Sequence, residues 1–172
     1  IFTLVGLPYT LKFLWAPVID RLVPPWLGRR RGWMVLTQLC VALGVALMAV
    51  TSPRHHPELL AVFALLVAFL AASLDIVFDA YRTETLESQE RGFGAAVWVN
   101  GYRIALLVAG AGALVIADLV GWQTTYLLLA GLMVIGTAII VLSPEPGKVA
   151  DAPKTMGEAI GAPLAEFFMR PH

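Results

Sequence analysis

Long apolar blocks constrain this chain more than any other feature. Each block is about the length needed to cross a bilayer, and a short charged or proline-bearing segment follows it. A helix of about twenty residues rises roughly 30 Å, the thickness of the hydrocarbon core. The blocks predict five membrane helices, at about 1–19, 33–50, 59–79, 93–119 and 122–142. Composition agrees. Of 172 residues, 59% are hydrophobic and 14% charged, against about half and about a quarter in a soluble domain. The expected class is an all-α, polytopic membrane protein.

The formal net charge is zero, so electrostatics offers no case for a nucleic-acid partner. Cys40 is the only cysteine, which excludes a disulfide framework and a cysteine-based zinc site. His55 and His56 are adjacent, so their side chains diverge, and no third ligand lies near them in sequence. Neither a metal nor a cofactor is expected.

Loop charges predict orientation. The segment from Asp20 to Gly32 carries Arg21, Arg29, Arg30 and Arg31, the segment from about Ala80 to Gly92 carries Arg82 and Arg91, and the tail after Pro144 carries Lys148, Lys154 and Arg170. The opposite side offers Arg54 alone. Short loops rich in Lys and Arg stay in the cytoplasm, so the Arg-rich loops and the tail are expected there. Residues 144–172 read as a cytoplasmic linker, broken by Pro144, Pro146, Gly147 and Pro153. Thr155 and Glu158 then form a capping box, and Met156, Ile160, Leu164 and Phe167 follow near helical spacing, which predicts a short amphipathic helix on the membrane face. The chain opens inside an apolar block and closes at Pro171-His172, which suggests an internal fragment of a longer protein.

Small residues recur every four positions along the fourth block, at Gly101, Ala105, Ala109 and Ala113. Such a ridge lets helices approach closely in lipid, and it predicts a helix buried against a near neighbour.

Ionisable residues inside the blocks are the candidate site. Lys12 falls in the first block, Asp75 and Asp79 in the third and Arg103 in the fourth. At 1.5 Å per residue, Lys12, Asp75 and Arg103 lie roughly 12, 10 and 16 Å from the Arg-rich end. Asp79 is one turn nearer that end, on the face of Asp75. Tyr9, Thr10, Ser73, Asn100 and Tyr102 are polar neighbours at similar depth. Charges in lipid are costly and should face a partner or a water-filled cavity. Two readings stand open: an ion-pair network that fastens helices together, and a polar cavity for an ionised substrate in which Asp75 carries a proton.

Two sets of motifs resemble known transporters. Asp20-Arg21 followed by Gly28-Arg29-Arg30-Arg31 resembles the signature loop between the second and third helices of the major facilitator superfamily, with Ala16 in place of its first glycine and a longer gap before Gly28. Other stretches are similar to AmpG-type muropeptide permeases. These are Leu7 to Pro17, Pro24 to Trp33, Asp75 to Thr83, Glu90-Arg91-Gly92, Gly101-Tyr102-Arg103, Gly121-Trp122-Gln123 and Pro144-Glu145-Pro146. Leu74 stands where that family shows glutamine.

The resemblance implies helices two to six of a twelve-helix transporter in the bacterial inner membrane, with a C-terminal half beyond this chain. It implies import of anhydromuropeptides from periplasm to cytoplasm, coupled to protons, in cell-wall recycling and β-lactamase induction. Lys12 and Arg103, on helices two and five of inverted repeats, would pair cargo carboxylates. Tyr9, Asn100, Asp75 and Asp79 would line the substrate and proton pathway. Asp20, Arg21, Gly28, Arg29, Arg30 and Arg31 would form a cytoplasmic gating loop. The runner-up is a related carrier, such as one for acetyl-coenzyme A. A membrane phosphotransferase would use Asp75 and Asp79 for metal, but its upstream aspartate-glycine motif is absent. A non-transporting sensor would need no cavity.

Overall fold

A computed structural model of the protein describes residues 2–147. The tail helix expected at about 155–167 lies outside the described residues. What is described is nearly all helical. Among the described residues four helices are long and apolar enough to cross a membrane: 29–50, 57–85, 91–120 and 122–142.

The first apolar block is not one helix. It is α1 (Phe2–Leu11), a 3-10 turn (Lys12–Leu14) and α2 (Ala16–Arg21). Pro17 sits at the start of α2, and proline has no N–H to continue a helix from the preceding turn. The chain therefore breaks at Trp15, whose N–H bonds back to the Lys12 carbonyl.

The third helix, α3 (Arg29–Val50), is the centre of the fold, packed along both α4 (Pro57–Thr85) and α7 (Trp122–Leu142). Close approach depends on small residues. A Cβ on Gly44 would stand 2.6 Å from a Val67 methyl on α4, and one on Gly136 would stand 2.6 Å from the Gln38 amide nitrogen. That nitrogen donates to the Met133 carbonyl on α7 at 2.8 Å, an interhelical bond of the kind lipid favours. Near the Arg-rich end, Ile19, Met34, Val77 and Ile140 form a buried apolar cluster from α2, α3, α4 and α7, with Leu74 packed against it. Leu74 thus serves the core between helices.

Crowding at Gly44 sets up a graded result. Overpacking costs about 1–3 kcal/mol, so Gly44→Ala should lower the melting temperature of the full-length protein in detergent. Gly131→Ala, whose Cβ would meet nothing within 4 Å, should leave it unchanged. Equal melting curves for the two variants would show that the α3–α4 contact is looser than described.

Two helices start or stop away from the sequence expectation. α3 begins at Arg29, four residues before Trp33, and α4 continues to Thr85, past Asp79. Asp79, Arg82 and Glu84 are therefore helical, and the loop expected at 80–92 shrinks to residues 86–90. Charge alone does not end a helix; the backbone continues while its side chains find partners.

The fourth block forms α5 (Arg91–Leu106), a π-helical turn (Leu107–Gly112) and α6 (Ala113–Val120). Gly121, at φ +84°, turns the chain directly into α7. The small-residue ridge is not buried as expected: Gly101, Ala105 and Ala109 are exposed, and only Ala113 is buried. No described helix runs along that face; α5 meets α4 through Trp98, whose ring lies 5.8 Å from that of Phe78.

Candidate functional site

The break in the first block places Lys12 where its side chain reaches α4. Its ammonium donates to the Asp75 carboxylate and lies 3.6 Å from Asp79. The two aspartates are one turn apart on one face, as their spacing requires. About a third of the Lys12 and Asp75 side chains stays exposed, so the pair is neither sealed nor fully in solvent. Trp15 fastens the break itself. Its indole N–H donates to the Ser73 hydroxyl at 3.0 Å, and its ring lies 4.8 Å from that of Phe69.

A second cation completes the cluster, and it is not the one expected. Arg82 donates to Asp79 at 3.2 Å, and its guanidinium lies 5.3 Å from the centre of the Trp98 ring. Two carboxylates of α4 thus face two cations, Lys12 from the 3-10 turn and Arg82 from α4 itself. Arg103 is exposed and makes no ion pair among the described residues. Asn100 bonds within its own helix, to the Ala96 carbonyl. Tyr9 is exposed and makes no hydrogen bond or ion pair with the cluster among the described residues. Equal depth along parallel helices does not make contact, because the helices must also turn the residues toward each other. Arg82 was missed because the third block was ended at Asp79, although its three-residue spacing from Asp79 is that of a helical ion pair.

Residues expected to form a gating loop contribute to a second network at the Arg-rich end. Arg30 is buried, with 6% of its side chain exposed. Its guanidinium pairs with Asp20 of α2 and Glu84 of α4, taking Glu84 through Nε at 3.1 Å as well. Arg29 adds a bond to Glu84 at 2.9 Å. Gly28, at φ +84°, holds the position before α3. Arg31 turns to α7, donating to the Val141 carbonyl, while Arg21 is exposed and outside the network. Sequence reasoning missed Glu84, and of Glu145, whose carboxylate accepts from the Arg30 and Arg31 N–H groups, it noted only the Pro144-Glu145-Pro146 resemblance. Glu145 lies beyond the last block, where nothing local points back to α3.

Elsewhere, His55 and His56 are exposed. Among the described residues no cluster of three or more His, Cys, Asp or Glu is arranged to hold a metal.

The sequence profile of the Major Facilitator Superfamily matches residues 1–172. The chain belongs to the major facilitator superfamily. Within this superfamily it is 45% identical, over 98% of its length, to the anhydromuropeptide permease of Escherichia coli K12. It is 41% identical over 96% of its length to a protein of Haemophilus influenzae, and 32% identical over 84% to a putative transporter, AmpG 4, of Rickettsia conorii. The chain spans 35% of the length of the Escherichia coli relative, about a third. Superfamily membership and the four membrane-length helices among the described residues make it part of a multi-pass membrane protein.

Proposed function

We propose that this chain is helices two to six, and the following link, of an inner-membrane transporter that imports anhydromuropeptides, driven by the proton gradient. The observation that carries the reading is the Lys12–Asp75–Asp79 cluster at a broken membrane helix, in a chain 45% identical to an anhydromuropeptide permease. Transporters build their sites at such discontinuous helices, where unwound backbone lines a cavity. A muropeptide carries carboxylates and an amine, so a site with both signs of charge suits it.

In this reading Asp75 holds Lys12 when ionised. A proton arriving at Asp75 releases Lys12, which then takes a cargo carboxylate by a charge-assisted bond. Asp79 remains beside Lys12 and keeps the site balanced. Arg103, exposed and without an ion pair among the described residues, offers a second cation to the cargo; Tyr9 and Asn100 line the same pathway. The Arg-rich end faces the cytoplasm, by the charge bias of its loops. There the Asp20–Arg30–Glu84 network acts as a latch that is closed in one state and broken in the other. Asp75 and Asp79 are each paired with a cation, which favours transport over metal-dependent phosphotransfer.

The test is uptake of labelled anhydromuropeptide by cells that lack their own permease and express the full-length protein. Uptake abolished by a protonophore is expected. Absence of uptake at normal protein abundance sinks the cargo assignment, and uptake of acetyl-coenzyme A by vesicles in its place would move the protein to the runner-up carrier.

A further inference from the structure

The N-terminus of α3 presents an electrostatic problem that its own sequence does not solve. Its first turn is Arg29-Arg30-Arg31, with no acidic residue, and Gly28 provides no side-chain cap. Three cations stand at the positive end of the helix dipole, with the opening N–H groups unpaired by any neighbour in sequence. The missing anion comes from 115 residues away. Glu145 spreads its carboxylate across the turn, one oxygen accepting the Arg30 N–H at 2.9 Å and the other the Arg31 N–H at 3.0 Å.

The surroundings are shaped for this carboxylate. A Cβ at position 28 would lie 2.6 Å from the Glu145 carboxyl carbon, so only glycine admits it, and the backbone there is left-handed as well. The segment bearing Glu145 is held at two points just before it. The Tyr81 hydroxyl donates to the Pro144 carbonyl at 2.8 Å, and Arg31 reaches Val141. Arg30 is thereby the meeting point of four elements. Its backbone binds the segment after α7, and its side chain binds α2 and α4.

We propose that Glu145 is a positioning residue of the latch: by capping α3 it keeps the first turn wound and Arg30 aimed between Asp20 and Glu84, so the latch and the chain leaving α7 engage or release together. The proposal rests on the latch reading above, but not on any cargo.

Hydrogen exchange on the full-length protein tests it without uptake. Glu145→Gln keeps the shape but loses the charge. Exchange at residues 29–32 should rise about tenfold, as for a lost hydrogen bond to a charged group. A purely local cap stops there. Action through Arg30 predicts faster exchange also at residues 19–22 and 83–86, where the latch partners sit. It also predicts that this remote part disappears in an Asp20→Asn, Glu84→Gln background, where the latch is already broken, since coupled sites are non-additive. Glu145→Asp should restore part of the protection. A rise confined to residues 29–32, or remote changes that persist in the broken-latch background, overturns the proposal. If Glu145→Gln fails to accumulate, Gly28→Ala, which displaces the carboxylate and leaves it charged, must give the same remote pattern. Should uptake of muropeptide fail while this pattern holds, the cargo is wrong and the coupling stands.

Discussion

Asp75→Asn should abolish proton-driven uptake while the full-length protein still reaches the membrane at normal abundance. Asparagine retains an oxygen that accepts from Lys12, so the contact that joins the 3-10 turn to α4 survives in neutral form. Asp79, 3.6 Å from the same ammonium, still balances its charge. What disappears is the group that can take up a proton and let Lys12 go. Lys12→Ala should be worse for the protein. It leaves Asp75 and Asp79 one turn apart with Arg82 as the only nearby cation among the described residues, and an uncompensated buried charge costs about 3–5 kcal/mol, less here because both side chains keep some exposure. The double variant Lys12→Ala, Asp75→Asn separates the two readings of the cluster. If the pair only fastens helices, removing both charges restores abundance and uptake together. If it carries protons or cargo, abundance recovers and uptake does not. Wild-type uptake in Asp75→Asn would remove this aspartate from the mechanism.

The largest loss of stability is expected from Arg30→Ala. With 6% of its side chain exposed, Arg30 holds two carboxylates from different helices. Its removal leaves Asp20 unpaired and Glu84, itself only 15% exposed, with Arg29 alone. Breaking a buried pair in this way costs about 3–5 kcal/mol, enough to cut the folded yield of a marginally stable protein severely. Arg30→Lys keeps the charge but not the planar fork that serves both partners at once, so it should fall between. Membrane abundance and the melting temperature in detergent measure both. Adding Glu84→Gln to Arg30→Ala should recover part of the loss, because the stranded charge goes with it. Unchanged melting in Arg30→Ala would mean that the network contributes nothing to the fold.

The same contrast runs through what could be read from residues alone. The helical membrane class followed from block length and hydropathy, because every backbone polar group in lipid must be paired within its own helix. Asp75 and Asp79 on one face followed from helical period, a local property. The pairing of Lys12 with them was open to sequence only as equal depth, and equal depth also suggested Arg103, which the structure leaves aside. Helix rotation decides between such candidates, and rotation is set by packing with neighbours. Arg82 took the second cation's place because α4 continues as a helix through Arg82 to Thr85, which a rule that ends helices at the first charge does not foresee. The ridge of small residues was a sound signal of a surface fit for close approach, but it carries no information on where a partner helix lies among the described residues.

Charge inside membrane helices and the Asp20 to Arg31 signature were determined by sequence, since each depends on residues within a few turns of one another, whereas sequence predicts continuous helix across the break before Pro17, which only the structure shows. Tertiary structure alone decided that Glu84 and Glu145 meet Arg30, that Leu74 belongs to the core and that Arg82 stands in the cluster where Arg103 was expected. The physical reason is common to these cases. A charged or polar group in a low-dielectric setting is defined by what neutralises it. Here the neutralising groups stand far along the chain, 54 residues from Arg30 to Glu84 and 115 from Arg30 to Glu145, where only the packing of α3 against its neighbours brings them together.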